Sequence, residues 1–470
     1  MSDLVDVDFA VVGSGPGGQK AAISAAKEGR SVIVVERETG SGGACVRHGT
    51  IPSKTLRETA LAMRSLERRT GGVLRAELRE DLEVASLMTR LDEVVGAHQR
   101  YIGDQLRRNN VAVWHGHARF ESARVLEVTA PNGTRRRVRA QHIVLATGSR
   151  PRTPDGVAVD HDRVLDSDSV LSMTYLPRSL IVLGAGVVAS EYASIFASLG
   201  VEVTMIDRGA RPMAFLDAEL TGAFLKSFTS AGSRFLPERR VASARYDGAT
   251  RCEVRLEDGE TIVADTILCA MGRLANVDRL GLAEIGVKTT ARGLVEVDEY
   301  GVTSVPAIYA VGDIVGPPAL ASTAMEQGRR AVRHALGLAA DKTATSAIPF
   351  CAYTIPEIAS VGLTEAEATA AHGNVIVGRA RYAEIARAHV SAYGEGLIKL
   401  IASPEGRLLG VQVVGECASE LVHVGQMALL AGFDVDVFVE ATFNFPTLAE
   451  GYRVAALDVI RQVSRKSRAA

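Results

Sequence analysis

The residues with the clearest chemical potential lie between Gly42 and Lys54. This stretch reads Gly-Gly-Ala-Cys-Val-Arg-His-Gly-Thr-Ile-Pro-Ser-Lys. Cys45 offers a thiol, which becomes a nucleophile or a redox centre when it is ionised. Thr50 follows in the same stretch, and the Pro-Ser step after it can open a helix that carries the amine of Lys54. Because a hydroxyl cannot form a disulfide, Cys45 and Thr50 cannot be linked to each other.

Composition limits the classes of protein to which the chain can belong. Its 470 residues are 47% hydrophobic and 23% charged, which is typical of a globular protein of two to four domains. A net charge of -2 gives no sign of a nucleic-acid or membrane partner. The start of the chain lacks a signal-peptide pattern, and no apolar run is long enough to cross a bilayer. Five scattered cysteines fit a reducing compartment, so we expect a cytoplasmic protein.

A dinucleotide-binding turn opens the chain. An apolar run over 7–12 predicts a buried parallel strand, and Gly13, Gly15 and Gly18 follow it at the start of an alanine-rich helix. A second buried strand then ends at Glu36. Such glycines let the backbone approach a pyrophosphate at the helix N-terminus, and the terminal acid can bind a ribose hydroxyl. Strand, glycine turn, helix, strand and acid together predict nucleotide binding.

The same pattern occurs a second time. A strand over 179–183 leads into Gly184 and Gly186, the last glycine is replaced by Ala189, and the next strand ends before Asp207. An internal duplication of this kind is typical of an enzyme that binds two dinucleotides. The fold class that we predict is therefore α/β with two Rossmann-like domains.

The stretch around Cys45 resembles the redox-active segment of the flavoprotein disulfide reductases. In that family a C-x4-C pair precedes I-P-S-K, and the sequences Ala-Thr-Gly at 146–148 and Val-Gly-Asp at 311–313 resemble its two further flavin segments. The resemblance implies FAD as the cofactor and NAD(H) or NADP(H) as the substrates. Besides the first glycines and Glu36, it assigns to cofactor binding the residues Cys45, Lys54, Gly116, Thr147, Gly148, Ser149, Asp313, Ala321, Gly184, Gly186, Glu191, Asp207, Arg208 and Gly272.

Two parts of the family's thiol chemistry are missing together. The flavin-side cysteine is Thr50, and the histidine of the H-P-T-x-x-E pattern is Phe445, which cannot exchange a proton. Glu450, the usual partner of that histidine, is retained. This combination resembles the soluble, FAD-dependent pyridine nucleotide transhydrogenases, although we expect a tyrosine in that subfamily where this chain has Phe445. We expect Cys45 to be inert.

The resemblance also indicates which residues take part in hydride transfer. Lys54 can place a cation beside the flavin, and Glu191 can pair with it, so these two residues are the predicted catalytic pair. Asp207 should favour NAD, because a carboxylate repels the 2′-phosphate of NADP. Arg208 and Arg211 could offset that repulsion, since guanidinium groups suit phosphate. We therefore expect one site that accepts both nicotinamide cofactors in turn. No spacing predicts a metal site.

The resemblance to this family covers essentially the whole chain. It predicts a FAD-binding domain in two segments (1–150 and 275–346), an NAD(P)-binding domain at 151–274, and an α+β dimerisation domain at 347–470. It thus implies a homodimer or a higher homo-oligomer.

Two other functions stay open on the sequence alone. One is a related flavin oxidoreductase that passes electrons to a quinone or another small organic acceptor. The other is a non-catalytic subunit, similar to dihydrolipoamide dehydrogenase, that binds within a larger complex. The retention of Lys54, Glu191 and both nucleotide turns argues against the non-catalytic subunit.

Overall fold

The structure is a computed structural model, and it describes residues 4–69, 84–338 and 347–469. Within these residues the chain forms two compact units. The first unit comprises residues 4–55, 86–152 and 272–338, and the second comprises residues 56–69, 84–85, 153–271 and 347–469. The chain therefore returns twice to the first unit.

Strands and helices alternate along most of the described chain. The strands are β1 (Leu4–Val12), β2 (Val32–Glu36), β3 (Ala112–His115), β4 (His117–Ser122), β5 (Val125–Thr129), β6 (Arg135–Leu145), β7 (Ser149–Pro151), β8 (Val164–Asp166), β9 (Ser179–Leu183), β10 (Glu202–Ile206), β11 (Arg234–Leu236), β12 (Val241–Tyr246), β13 (Cys252–Leu256), β14 (Thr261–Ala264), β15 (Thr266–Cys269), β16 (Arg273–Ala275), β17 (Ile308–Ala310), β18 (Phe350–Ala352), β19 (Ile358–Gly362), β20 (Ile376–Arg381), β21 (Leu397–Ala402) and β22 (Leu408–Val414). The α-helices are α1 (Pro16–Lys27), α2 (Gly43–Arg47), α3 (Thr50–Arg69), α4 (Val84–Arg108), α5 (Val187–Ser198), α6 (Ala218–Ser230), α7 (Ala321–Ala335), α8 (Glu365–His372), α9 (Ala386–Val390), α10 (Ala418–Ala431), α11 (Val437–Glu440) and α12 (Glu450–Ala469).

The first unit is built on a sheet with the order β3-β2-β1-β6-β5-β4, in which β17 also pairs with β6. Strands β3, β2, β1, β6 and β17 run parallel to one another. The run Phe9–Val12 is buried on both of its faces, as expected for the centre of a parallel sheet. The Rossmann-like topology predicted from the first glycine turn is confirmed.

Strand β6 is one long strand, Arg135–Leu145, that takes part in two kinds of pairing. Its first half is antiparallel to β5, and its second half is parallel to β17. The change from alternating to continuous burial along β6 reflects these two environments.

The second unit contains three sheets. A parallel sheet, β11-β10-β9-β15-β8, repeats the pattern of the first unit, and the antiparallel strands β12-β13-β14 accompany it. The antiparallel sheet β18-β19-β22-β21-β20 is formed by the C-terminal part of the chain, from β18 onward. Helices α10 and α12 contribute buried residues to the core of this last sheet, including Val422, Tyr452 and Val459. The α/β fold class is thus confirmed throughout.

Helix α3 begins at Thr50, two residues before the proline that was expected to open it. From Leu56 onward its residues belong to the second unit, whereas the sequence suggested that they belong with the first flavin segment. Leu56 and Ala60 pack in one apolar cluster with Ile195 of α5 and Ile355. Most of α3 therefore belongs to the second unit because its apolar face packs against apolar residues of that unit.

A buried charge cluster lies in the second unit. The side chain of Lys399 is 2% exposed, and its Nζ lies 2.9 Å from Asp217 Oδ1, 3.1 Å from Glu219 Oε2 and 2.7 Å from Glu365 Oε2. Arg379 donates to Glu219 from Nε at 3.0 Å and from Nη2 at 2.9 Å. Removing one member of such a buried pair typically costs about 3–5 kcal/mol, because a charge is then left without its partner.

This cluster predicts a loss of stability in acid. Burial alone would raise the pKa of Glu219, but hydrogen bonds from Arg379 and Lys399 outweigh burial and hold that pKa below its ordinary value of 4.5. A carboxyl with a lowered folded-state pKa stabilises the protein above its unfolded pKa, and the stabilisation is lost as the pH falls through the folded pKa. We therefore expect Glu219→Gln to weaken the fall in melting temperature below about pH 4.5, measured by calorimetry.

The control for this prediction is Glu395→Gln. Glu395 pairs with Lys226 at 2.9 Å, but both side chains are more than half exposed, so the pair should contribute little. An acid dependence that is the same in Glu219→Gln as in the natural protein would contradict the prediction.

No helix of the described residues is long and apolar enough to span a membrane.

Candidate functional site

The predicted flavin residues meet at one edge of the parallel sheet in the first unit. Backbone hydrogen bonds join the loops that follow neighbouring strands. Gly13 N donates to Val35 O at 2.8 Å, Ala146 N donates to Val12 O at 2.8 Å, and Val311 N donates to Leu145 O at 2.9 Å. Ligands of α/β proteins bind at this carboxyl edge.

At two positions of the glycine turn between β1 and α1, neighbouring backbone lies too close to leave room for a side chain. Gly13 has a φ of +102°, and a Cβ there would lie 2.4 Å from Ala146 O. A Cβ on Gly18 would lie 2.0 Å from Gly13 O. Gly15, the N-cap of α1, instead faces open space and offers no side chain to cap the helix. The first amides of α1 are therefore accessible to a phosphate, and this cradle fits the pyrophosphate of FAD.

Glu36 is held by the turn that it supports. Its Oε2 accepts from Ser14 N at 2.8 Å and from Ser14 Oγ at 2.6 Å, while its Oε1 accepts from Glu38 N at 3.0 Å. A carboxylate has about four acceptor positions. Three donors among the described residues leave one position that a ribose hydroxyl could occupy, and this role of Glu36 stays a prediction.

The second turn repeats this arrangement in the second unit. Asp207 Oδ2 accepts from Ala185 N at 3.0 Å, and its Oδ1 accepts from Gly209 N at 2.6 Å. Ala185 and Ser14 occupy the same place in their glycine turns, so the duplication extends to individual hydrogen bonds. Gly184 has a φ of +103°, and Gly186 is the N-cap of α5 and faces open space. This turn fits the pyrophosphate of a nicotinamide cofactor.

The two arginines after β10 have different surroundings. Arg211 donates from Nη1 to Leu216 O at 3.0 Å and to Thr221 Oγ1 at 2.8 Å, and from Nη2 to Ala214 O at 2.6 Å. It therefore shapes the loop between β10 and α6. Arg208 is exposed beside Asp207. Of the two predicted phosphate ligands, Arg208 is exposed, whereas Arg211 is partly buried and bound to its own loop.

Cys45 lies on α2 and Thr50 at the start of α3. Burial raises the pKa of the Cys45 thiol, although a hydrogen bond with the Thr50 side chain and the charge of Lys54 oppose this effect. A thiol with a raised pKa is mostly protonated at neutral pH and is a poor nucleophile. A protonated thiol is consistent with an inert Cys45, whose lack of a redox role stays a prediction.

Residues from two distant segments meet around Asp313 in the first unit. Asp313 lies in a short 3₁₀ helix after β17, and its Oδ2 accepts from Ser149 Oγ at 2.6 Å. Arg273 Nε donates to Ser149 Oγ at 2.8 Å. Thr147 Oγ1 donates to Asn276 O at 2.8 Å. Sequence reasoning did not identify Arg273 or Asn276, because both are recruited through the pairing of β7 with β16.

The other predicted cofactor residues lie as follows. Gly116 follows β3, Gly148 precedes β7, Ala321 begins α7, and Gly272 precedes β16 in the first unit. Their contacts with a cofactor stay a prediction.

The two predicted catalytic residues lie in different units, Lys54 on α3 in the first and Glu191 on α5 in the second. Their pairing stays a prediction. Glu191 is 5% exposed, and its Oε1 accepts from the backbone N–H of Tyr353 at 2.8 Å. No sequence pattern indicates this donor, which lies 162 residues away.

Glu450 has a structural role that the sequence interpretation missed. Its Oε2 accepts from the backbone N–H of Thr447 at 3.3 Å, at the N-terminus of α12. A Thr-x-x-Glu spacing is a known helix-start signal, so the local sequence contained this information. Phe445 is 70% exposed in the single chain.

The Gly18 contact leads to a prediction about FAD. Because a Cβ at position 18 would collide with the carbonyl of Gly13, Gly18→Ala should distort the turn and leave the purified protein nearly colourless. We expect flavin content, measured by absorbance after denaturation, to fall at least about tenfold. Gly103→Ala on α4 is the control, since a Cβ there meets nothing within 4 Å. Stoichiometric flavin in Gly18→Ala would show that the turn does not hold the cofactor.

Within the described parts of the chain, no group of histidine, cysteine and acidic side chains is arranged to hold a metal ion.

Comparisons with known proteins agree with this geometry. Residues 7–328 match the model of the pyridine nucleotide-disulphide oxidoreductases, and residues 348–456 match the dimerisation domain of that family. The soluble pyridine nucleotide transhydrogenase of Mycobacterium bovis (strain BCG / Pasteur 1173P2) is 40% identical over 460 residues, which cover 97% of this chain and 98% of the relative. The soluble pyridine nucleotide transhydrogenase of Serratia proteamaculans is 38% identical over 469 residues, which cover 98% and 100%.

A solved structure shows the same likeness. The crystal structure of LpdA from Mycobacterium tuberculosis matches with a TM-score of 0.89 at 28% identity, over 96% of this chain and 99% of that one. The matched models, the relatives and the two glycine turns agree, and the chain belongs to the pyridine nucleotide-disulphide oxidoreductase family.

Proposed function

We propose that the chain is an FAD-dependent pyridine nucleotide transhydrogenase, which moves a hydride between NADPH and NAD⁺ without a redox-active disulfide. The observation that carries this proposal is the pair of intact dinucleotide turns combined with a threonine at position 50, where a disulfide would need a second thiol. The relatives named soluble pyridine nucleotide transhydrogenase support it at 38–40% identity over the full chain.

FAD, when bound, supplies a two-electron carrier that accepts a hydride from one nicotinamide and returns it to another. The chain's own residues bind and orient the reactants. The amides at the start of α1 and the Glu36 carboxylate hold FAD, and Asp313, already fixed by Ser149, holds its ribityl chain. The amides at the start of α5 and the Asp207 carboxylate hold the nicotinamide cofactor.

Lys54 and Glu191 are the proposed catalytic residues. The charge of Lys54 lies close enough to Cys45 to lower the pKa of its thiol, and a fixed cation stabilises the negative charge of a reduced ring system. Glu191 balances that cation on the nicotinamide side. Cys45, as a protonated thiol, takes no part in electron transfer.

A homodimer in the cytoplasm is part of this proposal. The residues matched by the dimerisation domain expose large apolar side chains, including Met427, Phe433 and Phe445. Met427 and Leu430, which is also exposed, lie three residues apart on α10 and so share one face of that helix, and an exposed apolar face is typical of protein interfaces. Light scattering on the purified protein should give twice the chain mass of 49.8 kDa.

The direct test is a steady-state assay of the purified yellow protein with NADPH and an NAD⁺ analogue of distinct absorbance. Parallel assays replace the analogue with a quinone, lipoamide or glutathione disulfide. We expect rapid transfer only to the analogue. Because one site serves both nucleotides in turn, double-reciprocal plots at several fixed concentrations of the second nucleotide should be parallel.

Other outcomes separate the alternatives. Transfer only to the quinone would favour the related flavin oxidoreductase. Failure of every nicotinamide to bleach the flavin anaerobically would favour the non-catalytic subunit. Intersecting plots would show that both nucleotides are bound at once, which contradicts a single alternating site.

A further inference from the structure

The segment 353–357 links β18 to β19 and supplies the backbone donor that Glu191 accepts. Tyr353 N donates to Glu191 Oε1 at 2.8 Å, and Ile355 N donates to Ser194 Oγ at 3.1 Å. Glu191 and Ser194 lie three residues apart on α5. The amides of Tyr353 and Ile355 therefore bind two side chains that lie about one turn apart on α5, the helix that carries Glu191.

Arg57 of α3 holds the same segment from another direction. Its side chain is 2% exposed, its Nε donates to Thr354 O at 3.1 Å, and its Nη2 lies 2.9 Å from Glu357 Oε1. The other oxygen, Glu357 Oε2, accepts from Ser419 N at 3.0 Å and from Ser419 Oγ at 2.9 Å. The segment is thus fixed at its middle and at its end by one buried guanidinium.

Stability alone does not require a charge at this place. Arg57 lies beside an apolar cluster formed by Leu56, Ala60, Leu61, Ile195, Leu199 and Ile355. Buried ion pairs can often be replaced by apolar side chains without loss of stability. A guanidinium provides something that an apolar side chain does not, namely a directed hydrogen bond from Nε to the Thr354 carbonyl together with an ion pair to the Glu357 carboxylate.

We propose that Arg57, acting with Glu357, is a positioning residue. It fixes the position of segment 353–357 and thereby keeps the Tyr353 amide hydrogen-bonded to Glu191. This inference rests on the proposed function, in which Glu191 is a catalytic residue. A catalytic group must be held within a fraction of an ångström of its productive position, and such positioning usually depends on surrounding hydrogen bonds. Arg57 itself is not among the residues proposed to contact substrate or cofactor.

The experiment compares the holoenzyme with Arg57→Met. Stopped-flow reduction of the flavin by NADPH should show a rate constant lowered by about tenfold, with the Kd for NADPH within about twofold of the natural value. Hydrogen–deuterium exchange of the peptide that contains Tyr353 should become at least about tenfold faster, because its amide loses a fixed acceptor. A general loss of stability would not separate the rate constant from Kd in this way.

The matched control is Lys399→Met. Lys399 and Asp217 form a pair as buried as that of Arg57 and Glu357, with side chains 2% and 3% exposed, and their hydrogen bonds join β21 to the start of α6 rather than to segment 353–357. This variant should lower the melting temperature but leave the rate constant of flavin reduction and the exchange at Tyr353 unchanged. Equal effects in both variants would overturn the proposal.

A second variant decides the matter if Arg57→Met does not fold. Arg57→Lys keeps the positive charge beside Glu357 but cannot bind the carbonyl and the carboxylate in one planar fork. It should therefore fold with FAD bound and still show the slower reduction and the faster exchange. Natural reduction and natural exchange in a folded Arg57→Lys or Arg57→Met protein would refute the positioning role.

The failure of this inference is distinguishable from the failure of the proposed function. If no nicotinamide reduces the flavin of the natural protein, the proposed function fails before any variant is made. If the natural flavin is reduced and the Arg57 variants behave like it, only the inference about Arg57 fails.

Discussion

Arg208→Ala should weaken the binding of NADPH far more than that of NADH. In the proposed site the 2′-phosphate of NADP approaches the Asp207 carboxylate, and two like charges about 4 Å apart at an effective dielectric near 20 repel by roughly 4 kcal/mol. Arg208 follows Asp207 directly and is exposed. A hydrogen bond from its guanidinium to the phosphate would contribute about 1.5–3 kcal/mol. Its removal should raise the Kd of NADPH roughly ten- to hundredfold, measured by anaerobic titration of the flavin.

Two further variants make this test specific. Arg255→Ala removes an exposed arginine from β13 and should change neither Kd. Arg211→Ala removes the guanidinium that binds Leu216 O, Thr221 Oγ1 and Ala214 O, so it should disturb the loop and weaken both nucleotides alike. An equal loss of NADH and NADPH binding in Arg208→Ala would show that Arg208 does not distinguish the 2′-phosphate.

The parts of the site that the sequence predicts are those whose chemistry is local. A strand, a glycine turn and an acid at the end of the next strand lie within about 30 residues, and the structure joins them by the bonds from Ser14 and Glu38 to Glu36. The second turn is predictable for the same reason. The carboxyl ends of parallel strands must meet at one edge, so the placement of Asp313 near Ser149 also follows from the topology.

The parts that the sequence does not predict depend on contacts across long separations. Arg57 reaches Thr354 across 297 residues, and Tyr353 reaches Glu191 across 162. An arginine on a charged helix is typical of an exposed residue, and no periodicity shows that this one is buried. Glu450 was misjudged for a different reason: the family resemblance pairs it with a histidine that this chain lacks, whereas its spacing from Thr447 is that of a helix start.

The burial of α3 shows why domain boundaries are also difficult to infer. Its first turn carries Lys54 and follows directly from the flavin segment, so the sequence assigns the whole helix to the first domain. The apolar face that begins at Leu56 finds Ile195 and Ile355 in the second unit. Hydrophobic periodicity shows which face of a helix is buried, but it does not show against which partner.

Thr50→Cys should restore a disulfide that the natural chain cannot form. The Thr50 side chain lies close enough to Cys45 to lower the pKa of its thiol, so a sulfur at position 50 should be able to reach the bonding distance of about 2.05 Å. Oxidation by a small disulfide such as oxidised dithiothreitol removes two protons and two electrons from the two thiols and leaves reduced dithiothreitol. Thiol titration and peptide mapping should then find the link between positions 45 and 50.

The matching expectation for the natural chain is that its thiol has no part in turnover. Cys45→Ser should keep nicotinamide-dependent activity within about twofold, because burial raises the pKa of the Cys45 thiol and no second thiol lies at position 50. Lipoamide should stay unreduced by the natural protein, and also by Thr50→Cys as long as Phe445 stands where a proton-transfer histidine would be needed. The double variant Thr50→Cys with Phe445→His should gain measurable reduction of lipoamide. Loss of transhydrogenation in a Cys45→Ser protein that still binds FAD would show instead that the single thiol carries electrons.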